Sequence, residues 1–179
     1  MIRPRINLVA LSATLLILAG CQSDRATISA DTPEMTSFLN IILPRKIEIQ
    51  HYLTQPRAFG GDGVASGLEV ILAAKDAFGD DVKCVGKFNF ELYSQRLASG
   101  DKFGKRVGFW TIEVNSEAAQ RTYWDRLSRF YQFKLELDEG RLEPGDYILT
   151  AQLAPPTGDK LFDEYSFSHG GAKAEPAKK

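Results

Sequence analysis

The segment Leu142–Leu153 reads LEPGDYILTAQL, a turn that leads into an alternating run. Pro144 and Gly145 favour the turn, because proline fixes φ and glycine tolerates conformations closed to other residues. Beyond the turn, one parity holds Tyr147, Leu149, Ala151 and Leu153, and the other holds Ile148, Thr150 and Gln152. A period of two predicts an antiparallel strand with the first set in a core and the second set in water.

The same alternation recurs along the chain between short clusters of Gly, Pro and Asp. Phe88, Phe90 and Leu92 share one face of a run, and so do Tyr131, Phe133, Leu135 and Leu137 of another. The runs leave little room for amphipathic helices between them, which argues against a parallel α/β sheet and predicts an all-β, antiparallel sandwich. Its seven expected strands are Arg45–Leu53, Gly67–Asp76, Cys84–Gln95, Val107–Val114, Ser128–Leu137, Asp146–Leu153 and Lys160–Phe167.

One segment departs from this pattern. Residues Asn115–Arg126 read NSEAAQRTYWDR, where two residues suited to an N-cap precede an acid in a first turn. That order is typical of a helix start. We therefore predict one short helix between the fourth and fifth strands, with Trp124 covering one end of the core.

Two local motifs resemble known sandwich domains. Leu142–Tyr147 resembles the tyrosine corner of immunoglobulin-like and fibronectin-type domains, in which the Tyr hydroxyl bonds back to the corner backbone. It is still more similar to the PGxY signature of carboxypeptidase-regulatory-like (transthyretin-type) domains. Asp76–Val82 (DAFGDDV) resembles a strand-turn-strand segment of bacterial immunoglobulin-like repeats. The resemblances imply an immunoglobulin-like or transthyretin-like sandwich with Tyr147 buried, and they imply no particular activity.

The first residues have the features of a secretory signal. Arg3 and Arg5 precede the uncharged run Leu8–Ala19, which is too short to span a hydrocarbon core of about 20 helical residues. Leu18–Cys21 (LAGC) then resembles the lipobox of bacterial lipoprotein precursors. The resemblance implies that residues 1–20 are a signal peptide, that diacylglycerol is attached to Cys21, and that a further acyl group such as palmitate follows on the new amino terminus.

This resemblance also predicts a place and a layout for the protein. Gln22, rather than Asp, follows the cysteine, which favours the outer membrane with the protein facing the periplasm. Two or more acyl chains would give a stable anchor and make the membrane a partner. We expect a lipidated terminus and polar tether over residues 21–36, the sandwich over 37–168, and a disordered tail over 169–179.

Charge and cysteine content exclude several classes of partner. The 22 Lys and Arg nearly balance 23 Asp and Glu, so no basic footprint for nucleic acid exists. Removal of residues 1–20 would leave 20 basic and 23 acidic residues, which would not favour an anionic lipid surface. With Cys21 lipidated, Cys84 has no thiol to pair with and is expected to be a small buried apolar residue.

The candidates for chemistry are few. His51 shares the inward parity of the first strand and is expected to pack rather than act as a base, so no catalytic triad is predicted. The carboxylates that could form an acid–base pair are neighbours in sequence. Neighbours on a strand point to opposite faces, so two such carboxylates do not converge on one substrate. A calcium site using Asp62, Asp76, Asp80 or Asp81 is a minor alternative, and no cofactor is predicted. The pairs are Asp80/Asp81, Asp138/Glu139 and Asp163/Glu164.

Aromatic residues outside the predicted core offer a different chemistry. They are Phe59, Phe103, Phe109, Trp110 and Trp124, and one of the adjacent pair Phe109 and Trp110 should face outward. We therefore expect a non-catalytic, lipid-anchored protein that binds or scaffolds another envelope component, either a protein or a glycan. The alternatives are a carbohydrate or small-ligand binding module and an envelope hydrolase that uses loop carboxylates.

Overall fold

The computed structural model describes residues 32–96, 100–138, 140–156 and 158–170. Residues 1–20, which were predicted to be a signal peptide, Cys21 and residues 171–179 of the expected tail lie outside these ranges. The described elements are, in chain order, α1 (Pro33–Ile42), β1 (Lys46–Ile49), β2 (Gln55–Arg57), β3 (Gly67–Lys75), β4 (Gly86–Gln95), β5 (Phe103–Val114), α2 (Glu117–Tyr123), β6 (Tyr131–Glu136), β7 (Gly145–Ala154) and β8 (Leu161–His169).

The strands form two antiparallel sheets. In the first sheet, β1 and β2 pair with one side of β3, and β6 pairs with the other side. The second sheet has the order β5-β4-β7-β8. The chain therefore passes from the first sheet to the second after β3, returns for β6, and crosses again to β7.

Aromatic rings from both sheets form the centre of one core. Phe133 of β6 lies with its ring centroid 5.0 Å from those of both Phe88 and Phe90 of β4. Leu68, Val70 and Leu72 of β3 are fully buried in the same cluster as Leu149 and Leu153 of β7. The two sheets thus share a core, and the predicted all-β antiparallel class is confirmed.

The first predicted strand is broken in the structure. β1 ends at Ile49, and the chain makes a turn before β2. Thr54 is buried behind this turn, and its hydroxyl accepts a hydrogen bond from Ile71 N of β3 at 3.0 Å, which replaces a missing backbone partner. One continuous strand over Arg45–Leu53 is therefore wrong. His51 lies in the turn and is exposed, so its predicted inward position is wrong too.

Smaller differences occur at other strand ends. β4 begins at Gly86, after Cys84, while β5 begins at Phe103 and is longer than predicted. β6 begins only at Tyr131, because Asp125 Oδ1 accepts from the backbone N–H groups of Leu127 and Ser128 and holds the preceding residues in a turn. β8 includes His169, which the sequence placed in the tail.

The outer parity of β7 contains one buried residue. Ile148 was predicted to face water with Thr150 and Gln152, but it is fully buried. Its register partner on β4 is Tyr93, whose ring packs edge-on against Phe103 of β5 at 5.1 Å. That end of the second sheet is therefore apolar on both faces, whereas the middle of its outer side is polar.

The two helices have ordinary start signals. Ser116 caps α2 by accepting from Ala119 N at 3.2 Å, which confirms the predicted short helix between two strands. Helix α1 was not predicted. It begins at Pro33, within the segment interpreted as a tether, and Thr32 Oγ1 accepts from Met35 N. Neither described helix has the length and apolar character that a membrane crossing requires.

The corner before β7 has the expected geometry. Tyr147 is only 5% exposed, and its hydroxyl donates a hydrogen bond of 2.7 Å to the carbonyl of Glu143. Burial raises the pKa of the Tyr147 phenol above its ordinary value. The prediction of a buried ring whose hydroxyl bonds back to the corner is confirmed.

Candidate functional site

The histidine and the turn carboxylates do not converge on one site. His51 stacks on Tyr165 with ring centroids 4.5 Å apart. Asp76 Oδ1 accepts from the backbone N–H groups of Phe78 and Asp80, while Asp81 forms an ion pair of 2.9 Å with Lys75. Asp62 Oδ1 accepts from the backbone of its own loop. Within the described residues, no three His, Cys, Asp or Glu side chains group as metal ligands do.

The strand carboxylates diverge, as their adjacency predicted. Asp163 Oδ2 accepts from Ile49 N at 2.6 Å and so links β8 to β1 at the edge of the sandwich. Glu164 points to the other side and forms an ion pair with Lys102. Asp138 is exposed, and its neighbour Glu139 lies outside the described residues. Asp163 and Glu164 therefore do not form a facing acid and base of the kind that glycosidases use.

Cys84 is buried, as the sequence predicted. Its backbone N–H donates to Tyr131 Oη at 2.9 Å, and its carbonyl accepts from Gln120 Nε2 at 2.6 Å. The Tyr131 hydroxyl donates in turn to Gln120 Oε1 at 2.9 Å. Burial raises the pKa of the Cys84 thiol to about 12, so the sulfur is protonated and unreactive at neutral pH. This network attaches α2 to β6.

The outward aromatic residue of the adjacent pair is Phe109, which is 52% exposed. Trp110 faces the core instead, and its indole Nε1 donates to the Glu136 carbonyl of the first sheet at 2.7 Å. Gly108 makes this possible, because a Cβ there would lie 2.2 Å from the indole ring. With Trp110 fixed inward, strand alternation holds Phe109 outward.

A second aromatic ring stands on the far edge of the same sheet face. Phe162 of β8 is 65% exposed and has the outward parity of Glu164 and Ser166. We did not predict it, because Tyr165 and Phe167 on the same strand were assigned to the core. The strict alternation of inward and outward residues along Leu161–His169 is the pattern that predicts an outward Phe162.

The two rings border a shallow depression, which we call the aromatic trough. It has a volume of about 320 Å³ and is open to solvent. Thr111 Oγ1, on β5 beside the trough, donates to Asn89 Oδ1 at 2.9 Å, which leaves the Asn89 amino group directed to other partners. The side-chain amide of Gln152 forms no hydrogen bond with another described residue. The trough is lined by Asn89, Glu91, Phe109, Thr150, Gln152 and Phe162.

Two acids at or beside the aromatic trough, Glu91 and Glu164, are paired with basic groups. Glu91 accepts from Arg106 at 3.1 Å and from the Tyr93 hydroxyl at 2.8 Å. The hydrogen bond to Glu91 raises the pKa of the Tyr93 phenol. The Arg106 guanidinium also lies 5.5 Å from the centroid of Phe109 and so fixes that ring. Glu164 is paired with Lys102.

The remaining loop aromatics pack against other rings or the chain. Trp124 lies 4.9 Å from Tyr131 in an edge-on contact and covers one end of the core, as predicted. Phe103 packs on Tyr93, and Phe59 is half-buried.

The chain matches no protein-family model, no curated protein and no solved structure. The aromatic trough combines two exposed aromatic rings, Phe109 and Phe162, with a polar floor.

Proposed function

We propose that this protein is a lipid-anchored, non-catalytic binding module of a bacterial cell envelope. In this proposal acyl chains on Cys21 hold it in the outer membrane, facing the periplasm. Its sandwich is immunoglobulin-like and presents the aromatic trough to another envelope component. The observation that carries the binding role is the pair of exposed rings, Phe109 and Phe162, on either side of a polar floor.

The strand order supports the immunoglobulin-like assignment. In such domains strands A, B and E share one sheet, strands C, F and G share the other, and an added C′ strand joins the edge beside C. Taking β1 with β2 as A, the order here is A-B-E in the first sheet and C′-C-F-G in the second. The Tyr147 hydrogen bond stands at the start of the strand that corresponds to F, where the tyrosine corner occurs.

The state of the carboxylates supports a role without catalysis. A glycosidase needs one carboxylic acid and one carboxylate that face each other across the substrate. Glu91, which lines the aromatic trough, is bound to Arg106 and Tyr93, and the nearby Glu164 is bound to Lys102. Exposed aromatic residues are, by contrast, frequent anchors of binding surfaces.

The first sheet offers a weaker surface on its own outer side. There Glu69 accepts from both Arg57 Nε at 2.7 Å and Gln132 Nε2 at 2.9 Å. These polar groups satisfy each other, and the apolar groups that line the same depression are Leu53, Ile71 and Phe130. The second sheet therefore has the better combination of exposed rings and side-chain amides with donors left for a ligand.

The anchor is tested by the fate of the cysteine. Cys21→Ser removes the proposed lipid acceptor, and we expect the protein to lose both fatty-acid labelling and its sedimentation with membranes. Cys84→Ala is the matched control, because its thiol is buried and unreactive, and it should leave both unchanged. Continued labelling of the Cys21→Ser protein would contradict the lipoprotein assignment.

The binding surface is tested by photo-crosslinking in cells. A benzophenone side chain inserts into C–H bonds of proteins and glycans alike, so the test does not presuppose the class of partner. We expect adducts from p-benzoylphenylalanine at position 109 or 162. The matched control is position 78, where the native Phe is 75% exposed on a turn outside the trough. Equal adduct formation at all three positions, or none at 109 and 162, would contradict the proposed surface.

A further inference from the structure

We propose that the aromatic trough binds a neutral glycan. The inference rests on the proposed function, since it names the class of partner for the same surface. The ligand we infer is a chain of β-linked pyranose rings whose hydroxyl groups are equatorial. Such rings combine apolar C–H faces with a rim of hydrogen-bonding groups.

The spacing of the two rings suits an extended ligand. Phe109 and Phe162 stand on the outermost strands of the sheet, with β4 and β7 between them. Three strand spacings place them about 14 Å apart across the sheet, and their registers differ by two residues, or about 7 Å along it. A ligand that touches both rings must therefore be longer than a single sugar. An aromatic face carries partial negative charge and attracts the partially positive C–H groups of a sugar ring.

The floor between the rings supplies hydrogen bonds to hydroxyl groups. The Asn89 amino group has two donors, and the Gln152 amide has both donors and an acceptor without a partner in the described residues. Thr150, the register partner of Glu91, lies two residues from Gln152 on β7. Amides of this kind can donate to and accept from the same hydroxyl-rich ligand.

The charge pattern favours a neutral ligand. Of the ionised groups at or beside the trough, Glu91 is paired with Arg106 and Glu164 with Lys102, while Lys87 is paired with Glu113 further along the same face. The lining of the trough contains no Lys or Arg that could bind a phosphate or carboxylate. Lys160, which forms no ion pair within the described residues, lies two residues before Phe162 and outside this lining. An anionic chain would have to break existing ion pairs without a net gain in charge complementarity.

The polar floor also disfavours a protein partner. The buried centre of a protein interface is more apolar than the surrounding surface. Here the two rings are separated by amide, hydroxyl and carboxylate groups rather than joined in one apolar patch. A glycan, whose rings pack separately while its hydroxyls meet the floor, fits this alternation better.

The test is calorimetric titration of the purified full chain with defined sugars. Cellohexaose and N-acetylchitohexaose are the neutral β-linked probes, and β-1,4-linked hexaglucuronate, which has the same ring geometry and linkage as cellohexaose, is the anionic probe. We expect at least one neutral probe to bind and the anionic one not to bind. Phe109→Ala and Phe162→Ala should each weaken binding by about tenfold, whereas the matched control Phe78→Ala should leave it unchanged.

Each other outcome overturns the proposal. Absence of binding by both neutral probes at millimolar concentration rejects the glycan. Tighter binding of hexaglucuronate rejects the inferred neutrality, and equal effects of all three alanine substitutions reject the aromatic trough as the site. If the glycan fails while position 109 still crosslinks to a protein in cells, the proposed function stands with another partner. If crosslinking fails as well, both are wrong.

Discussion

Replacing Tyr131 by Phe removes one hydroxyl group from a fully buried side chain and keeps its ring. That hydroxyl accepts from the backbone N–H of Cys84 at 2.9 Å and donates to Gln120 Oε1 at 2.9 Å. Cys84 is 1% exposed, so its N–H cannot turn to water when the acceptor is lost. A buried donor left without a partner costs about 1–3 kcal/mol. We expect the free energy of unfolding to fall by about 2–3 kcal/mol.

Tyr147→Phe provides the matched control. It also removes one hydroxyl from a buried ring, but the acceptor is the carbonyl of Glu143, an exposed residue that can bind water instead. Its cost should be that of a single net hydrogen bond, about 0.5–1.5 kcal/mol. Urea denaturation of the full chain, followed by tryptophan fluorescence, measures both variants, and Trp124 reports directly because it packs on Tyr131.

The order of the two effects is decisive. If Tyr131→Phe costs no more than Tyr147→Phe, the Cys84 N–H has another partner and the inferred network between α2 and β6 is wrong. The two variants are compared at equal denaturant slopes, because a changed slope would indicate an altered unfolded state.

Three further predictions concern the core. Tyr147→Ala should open a cavity and lower stability by about 3–5 kcal/mol in the same urea assay, and an unchanged midpoint would mean an exposed ring. Gly108→Ala places a Cβ 2.2 Å from the Trp110 ring, so it should displace the indole and change its fluorescence. The free energy of unfolding should fall by about 1–3 kcal/mol, and unchanged fluorescence and stability would refute the packing. Burial raises the pKa of Cys84 from 9.0 to about 12, so the unfolded thiol ionises first and stability should fall as pH rises between these values. The slope from this group approaches about 1.4 kcal/mol per pH unit, and Cys84→Ala should lack that contribution.

The sequence was most informative where one face of a strand is buried and the other is wet. β6 alternates strictly between buried and exposed residues, and its apolar parity was predicted without error. The ends of strands depend instead on distant partners. The break after Ile49 is stabilised by a hydrogen bond between Thr54 and Ile71, and no local pattern encodes that contact. Helix α1 was not predicted, because its apolar residues do not form a face that packs in the core. Phe38 and Ile42 are both exposed.

The candidate site was predictable only in part. Adjacency of Phe109 and Trp110 required one ring to face outward, although the sequence did not say which. The choice depends on the absence of a side chain at Gly108 and on a hydrogen bond from Trp110 to the other sheet. Phe162 joins Phe109 in one surface only because β8 and β5 lie at opposite edges of the same sheet, and strand order is a property of the whole fold.

The most direct test of the binding surface follows the side-chain amides of its floor by nuclear magnetic resonance. Titration of the isotope-labelled full chain with cellohexaose or N-acetylchitohexaose should shift the amide resonances of Asn89 and Gln152. The Gln132 amide, which is bound to Glu69 on the other sheet, should stay unchanged and serves as the internal reference. Shifts at Gln132 with none at Asn89 and Gln152 would contradict the account.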